Sequence, residues 1–129
     1  MKRPDNFALV GPHDYAIYLP AANPEYADVI NTGTDFAKFY PIPAMGHCSG
    51  GPSTDQVDFL TPLVQWVESG LEPKAITASV RGAGNVGGVN ADLPKGWAAN
   101  RTRPLCAYPT VARYKGSGDV EKAENFNCK

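Results

Sequence analysis

"PAMGHCSGGPSTDQVDFLTPLVQWVESGLEPKAITAS", residues 43–79, decides how the rest of this 129-residue chain is read. It opens on a histidine and a cysteine side by side, His47 and Cys48, with Gly46 before them and Gly50–Gly51 after. Glycines on both sides permit a sharp turn and a close approach, so the imidazole is held rather than simply solvated. An ordinary loop histidine making one backbone hydrogen bond is the plain alternative on local pattern alone. The run "STDQVDFLTPLVQWVESGLEP" (53–73) then reads as a helix. Val57, Leu60, Val64 and Val67 recur at helical spacing, with Phe59, Leu63 and Trp66 widening the stripe. Ser53 or Thr54 is the expected cap, Gly70 the expected stop and Pro73 the bar to resumption. Pro62, placed inside that run, predicts a kink or break near Asp58. "AITASVRG" (75–82) follows as a β-prone run.

Working outward, "NFALVG" (6–11) reads as a short buried strand and "PHDYAIYLPAANPEY" as a turn-rich loop. "PEYADVINTGTDF" has helical potential, and "AKFYPIPAMGH" reads as a strand that its two prolines push toward an edge. Strands alternating with helices predict an α/β layer arrangement with a largely parallel sheet. Beyond Arg81 the glycine-rich "GAGNVGGVNADLPKGW" predicts a long loop, and the remainder a turn-rich tail with one helical turn at "DVEKAENF".

Composition narrows the partners. Twelve Lys and Arg against thirteen Asp and Glu give a formal charge of −1 with both signs interspersed. That argues against nucleic acid or an anionic membrane, which call for a basic stripe. No stretch approaches the ~20 apolar residues of a membrane-spanning helix, and the first residues lack the apolar run of a signal peptide. "GAGNVG" (82–87) matches G-x-G-x-x-G. The fingerprint needs a helix opening directly after the loop, which "GVNADLPKGW" is too rich in glycine, asparagine and proline to supply. No cofactor and no metal site is expected. Cysteines number three, Cys48, Cys106 and Cys128, which fits either three buried thiols or one disulfide with one cysteine over.

Residues 43–79, and the tail segments "RPLC", "YP" and "ARYKGSGD", resemble the closing segment of the tannase and feruloyl esterase family. That family carries a G-M-G-H-C turn, a glycine-rich loop and a helix with W-V-E-x-G near its end. The resemblance implies a serine esterase and the C-terminal part of an α/β-hydrolase fold, about three strands with intervening helices plus an irregular, disulfide-closed tail. Residues 1–82 would be the last strands and helices of that domain, carrying the acid and the histidine, and 83–129 its tail.

His47 is then expected to be the general base that takes a proton from serine and returns it to the departing alcohol. Asp14, in "GPHDYAIYLP", weakly echoes the family's segment with the triad acid, with Tyr15 where the family has proline; a simple turn aspartate is the alternative. The resemblance also implies that Cys106 and Cys128 pair, and that Cys48 is one half of a disulfide to a cysteine just before the nucleophilic serine. Yet no G-x-S-x-G elbow occurs in these residues, and none of Ser49, Ser53, Ser69, Ser79 and Ser117 precedes the acid as the family order requires. The expectation is a C-terminal piece of a secreted or periplasmic esterase acting on aryl esters such as feruloyl or galloyl esters, inactive alone. Its partners would be an aromatic ester substrate in the complete enzyme, and the missing N-terminal portion or a second copy. A non-catalytic binding module that kept the scaffold is the competing expectation.

Overall fold

The run from Pro52 to Asp58 holds no helix, because its polar side chains bind backbone nearby instead of leaving the chain to coil. A computed structural model describes residues 7–10, 15–18 and 38–129. Contacts divide the chain into two units, Met1–Phe39 and Tyr40–Lys129.

In the first unit, β1 (Phe7–Val10) pairs with β2 (Tyr15–Tyr18) antiparallel, Phe7 opposite Tyr18 and Val10 opposite Tyr15. The first strand lies within the predicted run, whereas the second occupies residues read as loop. Alternating β-prone residues in "YAIY" outweigh the prolines around them. The helix expected within 24–36 and the acid candidate Asp14 lie outside the described residues.

The second unit is built on β3 (Gln56–Val57), β4 (Ala75–Ser79) and β5 (Thr102–Cys106), in the order β3-β4-β5 and antiparallel throughout. This corrects the expectation of a largely parallel sheet among the described residues. No helix lies between β4 and β5, and a parallel pair needs a crossover of that kind. Central β4 buries alternate residues, Ile76 and Ala78, with Val80 just beyond, and Leu105 sits opposite Ile76. Pro104 is tolerated because β5 is an edge strand of this sheet.

The strand expected over 37–47 does not form in residues 38–47. Pro41 and Pro43 lack ladder donors, and Ala44 turns the chain at a φ of 58°. Tyr40 instead gives its hydroxyl to the Pro73 carbonyl. Burial, with Glu72 nearby, raises the Tyr40 pKa above its ordinary value.

Helix α1 is shorter than predicted, Leu60–Ser69. Asp58 begins it, its Oδ1 accepting the N–H groups of Leu60 at 2.9 Å and Thr61 at 3.0 Å. Pro62 therefore falls in the first turn, where a missing donor costs nothing, and no break arises. Gly70 ends the helix in the left-handed region at φ 66°, giving its N–H to Trp66 O.

The tail is more regular than the irregular segment expected. β6 (Ala112–Tyr114) pairs with β7 (Phe126–Cys128) antiparallel, and a 3-10 turn, Ala123–Asn125, leads into β7. The Tyr114 and Phe126 rings pack at 5.5 Å. A disulfide joins Cys106 at the end of β5 to Cys128 in β7, with Cα atoms 5.5 Å apart. It fastens one sheet to the other.

Candidate functional site

The His47 turn is made by its backbone. Gly46 N–H donates to Gly50 O at 3.1 Å, closing a loop of five residues with the imidazole at its exposed apex. Gly50 and Gly51 both take positive φ, 78° and 71°. A Cβ on Gly51 would stand 2.2 Å from Ala44 O, so only glycine fits where the two ends of the turn meet. Ala44, at the first position of the family's G-M-G-H-C turn, holds a left-handed conformation that costs a residue with a Cβ roughly 1–2 kcal/mol.

Every main-chain polar group of the two glycines is engaged. Gly50 N–H donates to Asp55 Oδ2 at 2.7 Å, and Gly50 O accepts from Gly46 and from the Ser53 hydroxyl at 2.9 Å. Gly51 N–H donates to Asp92 Oδ2 at 2.9 Å, and Gly51 O accepts from Asn90 Nδ2 at 2.8 Å and from Ser53 N–H at 2.8 Å. Asn90 is buried, and its backbone N–H reaches Arg81 O at 2.9 Å.

Arg81, two residues past the end of β4, completes the support. Its Nε and one terminal nitrogen each lie 2.8 Å from Asp55 Oδ2, and its other terminal nitrogen donates to Gly87 O at 3.0 Å. The Asp55 side chain is 0 % exposed. Burial pushes its carboxyl upward, but the Arg81 guanidinium and the Gly50 N–H outweigh that and hold it below the usual aspartate value.

Sequence reading singles out the turn that carries His47 and misses what holds that turn. Asp55 carries no site signal of its own in the sequence, and the glycine-rich loop after Arg81 reads there only as a long loop with a mismatched fingerprint. The available signals were an Arg-Gly at a strand end and the N-x-D spacing of Asn90 and Asp92, both turn-forming types.

His47 Nδ1 lies 3.0 Å from Cys48 Sγ, and Cys48 is an exposed free thiol. An imidazole can accept a proton and return it, which is the chemistry of a general base. Among the described residues no serine hydroxyl is hydrogen-bonded to it; Ser53, the serine fixed in the turn, spends its hydroxyl on Gly50 O. Asp14 lies outside the described residues, so its placement relative to His47 is not part of this geometry. Beside the turn, Pro43, Pro52, Leu105 and Arg103 help line an open cavity of about 330 Å³.

Comparison with known proteins gives this geometry a lineage. The family described as tannase and feruloyl esterase matches residues 15–129, a span that begins one residue after Asp14. The chain is 45% identical over 122 residues to a mono(2-hydroxyethyl) terephthalate hydrolase of Piscinibacter sakaiensis, covering 95% of this chain and 17% of the relative. It is 32% identical over 108 residues to a probable feruloyl esterase B-2 of Aspergillus fumigatus, covering 73% of this chain and 19% of the relative. Among solved structures, an esterase from Aspergillus oryzae superposes with a TM-score of 0.58 at 26% identity, over 84% of this chain and 24% of that one. Feruloyl esterase B from the same organism, at 24% identity and a TM-score of 0.52, shares the fold over 84% of this chain and 23% of its own. The chain spans about a fifth of the length of the curated relatives it matches.

Proposed function

Because the chain belongs to the tannase and feruloyl esterase family, with the α/β-hydrolase type of fold, we propose that it carries the general base of a serine carboxylic-ester hydrolase. His47 is that base: it takes the proton of a serine hydroxyl as the hydroxyl attacks an ester carbonyl, then gives it to the departing alcohol. The serine belongs to sequence outside these residues, since no nucleophile elbow occurs among them. Asp14 orients the imidazole, and Cys48 joins a cysteine beside that serine. Substrates are aryl carboxylic esters, of the feruloyl or galloyl kind or monoesters of an aromatic diacid. A bonded Cys106–Cys128 pair suits an oxidising compartment, secreted or periplasmic.

The observation that carries this reading is the fully engaged glycine pair, which holds an exposed histidine on a fixed backbone inside a family of ester hydrolases. The exposed, unpaired Cys48 is what a binding module without catalysis would also show, so the two readings part on turnover. The test is hydrolysis of methyl ferulate, methyl gallate and a terephthalate monoester. The 129-residue chain is expected to show none, and its longest natural form, with the upstream sequence, to show turnover. His47→Ala should lower kcat there by roughly 10³-fold or more. No turnover in that longer form would leave the binding module standing, and turnover indifferent to His47 would remove His47 as the base.

A further inference from the structure

The support behind His47 is one connected object. It runs from the end of β4 through Arg81 to Asp55, and from Asp55 Oδ2 to the N–H of Gly50 at 2.7 Å, three residues past the histidine. Three donors converge on that single oxygen, Gly50 N and two Arg81 nitrogens, while Asp55 Oδ1 is buried with no hydrogen-bond partner. A carboxylate serving only as a charge partner for arginine gains most by spreading a two-pronged arginine over both oxygens. Here Arg81 is directed onto the oxygen that holds the turn, and the second is left unmatched at a cost. That lopsided arrangement spends the aspartate on the backbone of the histidine loop.

Geometry assigns the other parts as well. Arg81 is anchored to the sheet through β4 and to the glycine-rich loop through Gly87 O, so it is a fixed post rather than a surface side chain. Asp92 and Asn90 restrain the next residue, Gly51, from the same loop. Both positive-φ residues behind the imidazole are thereby fixed, and with them the direction in which the imidazole leaves the backbone.

We infer that Asp55 is a positioning residue for His47, acting through Gly50 with Arg81 as its anchor. It touches no reacting atom. The inference rests on the reading of His47 as base only for its consequence in catalysis; the clamp itself is measurable in the 129-residue chain.

Two readouts test it there. The first is amide hydrogen exchange at Gly50, followed by NMR. The second is the rate of Cys48 alkylation by iodoacetamide at one fixed pH, because Sγ lies 3.0 Å from His47 Nδ1 and a displaced imidazole changes the thiol's surroundings. Asp55→Asn is expected to speed Gly50 exchange by about tenfold or more, and to move the alkylation rate to that of His47→Gln. A dispersed, folded Asp55→Asn spectrum with Gly50 exchange within about twofold of wild type and the wild-type alkylation rate overturns the inference. Should Asp55→Asn fail to fold, Arg81→Lys serves, keeping the charge and losing the fork. It should raise Gly50 exchange about threefold and move the alkylation rate part of the way, and unchanged exchange overturns the inference equally. Ester hydrolysis indifferent to His47 would defeat the proposed function without moving either readout.

Discussion

Gly51 and Ala44 meet where the histidine turn closes, and they impose opposite demands. A Cβ at Gly51 would lie 2.2 Å from Ala44 O, in a conformation already costly for any other residue. Gly51→Ala is therefore expected to destabilise by roughly 2 kcal/mol or more. Ala44→Gly should stabilise by about 1 kcal/mol, because it removes a left-handed alanine. Urea denaturation of both variants measures the pair. Asp55 adds a pH signature. Its carboxyl is held below the ordinary 3.8, so the folded state keeps the proton off more strongly than the unfolded chain does. That stabilisation is fully present above 3.8 and is lost as pH falls through the lower folded value. Asp58, whose carboxyl is held low chiefly by the Thr61 hydroxyl and N–H, contributes in the same sense. Stability of Asp55→Asn should consequently fall less steeply than wild type below about pH 4, as thermal melts across that range would show.

Elements came out of the sequence unevenly, and for identifiable reasons. The helix stripe, its Gly70 stop and the β4 run were legible because period and end signals are local. The kink at Pro62 was misread: Asp58, four residues before it, was a stronger cap than Ser53 or Thr54, which moved the helix start and made the proline harmless. Strands β5, β6 and β7 carry only three to five residues each, too few for a clear alternation, and they form because β4 and each other complete their ladders. The disulfide then joins what the ladders do not. It closes a span of 22 residues, worth about 3 kcal/mol in the chain-entropy account. Cys106→Ser with Cys128→Ser should lower the melting temperature by several degrees and loosen β6–β7 first, read as faster amide exchange at Tyr114 and Phe126 than at Ile76.

At the scale of the whole molecule, α1 shows an apolar face to solvent. Leu60, Leu63, Val64 and Val67 share one side of it and are 69, 50, 42 and 77 % exposed. A stripe of that kind promotes association in water. The isolated chain is expected to sediment as a concentration-dependent mixture of monomer and larger species at tens of micromolar. Leu60→Glu with Val67→Glu should return it to monomer. A wild-type chain that stays monomeric throughout would mean this face carries too little energy to hold copies together.

The sequence by itself determined the family, the histidine turn, the helix and its glycine stop, because each is written in residues close together whose chemistry is local. Tertiary structure alone decided that the sheet is antiparallel, that the tail is stitched into strands, and that Asp55, Arg81, Asn90 and Asp92 converge on Gly50 and Gly51. Those groups come from positions up to 41 residues apart. No periodicity links them: a buried carboxylate finds its donors only when the chain has folded, and its desolvation is offset only by partners that distant segments deliver.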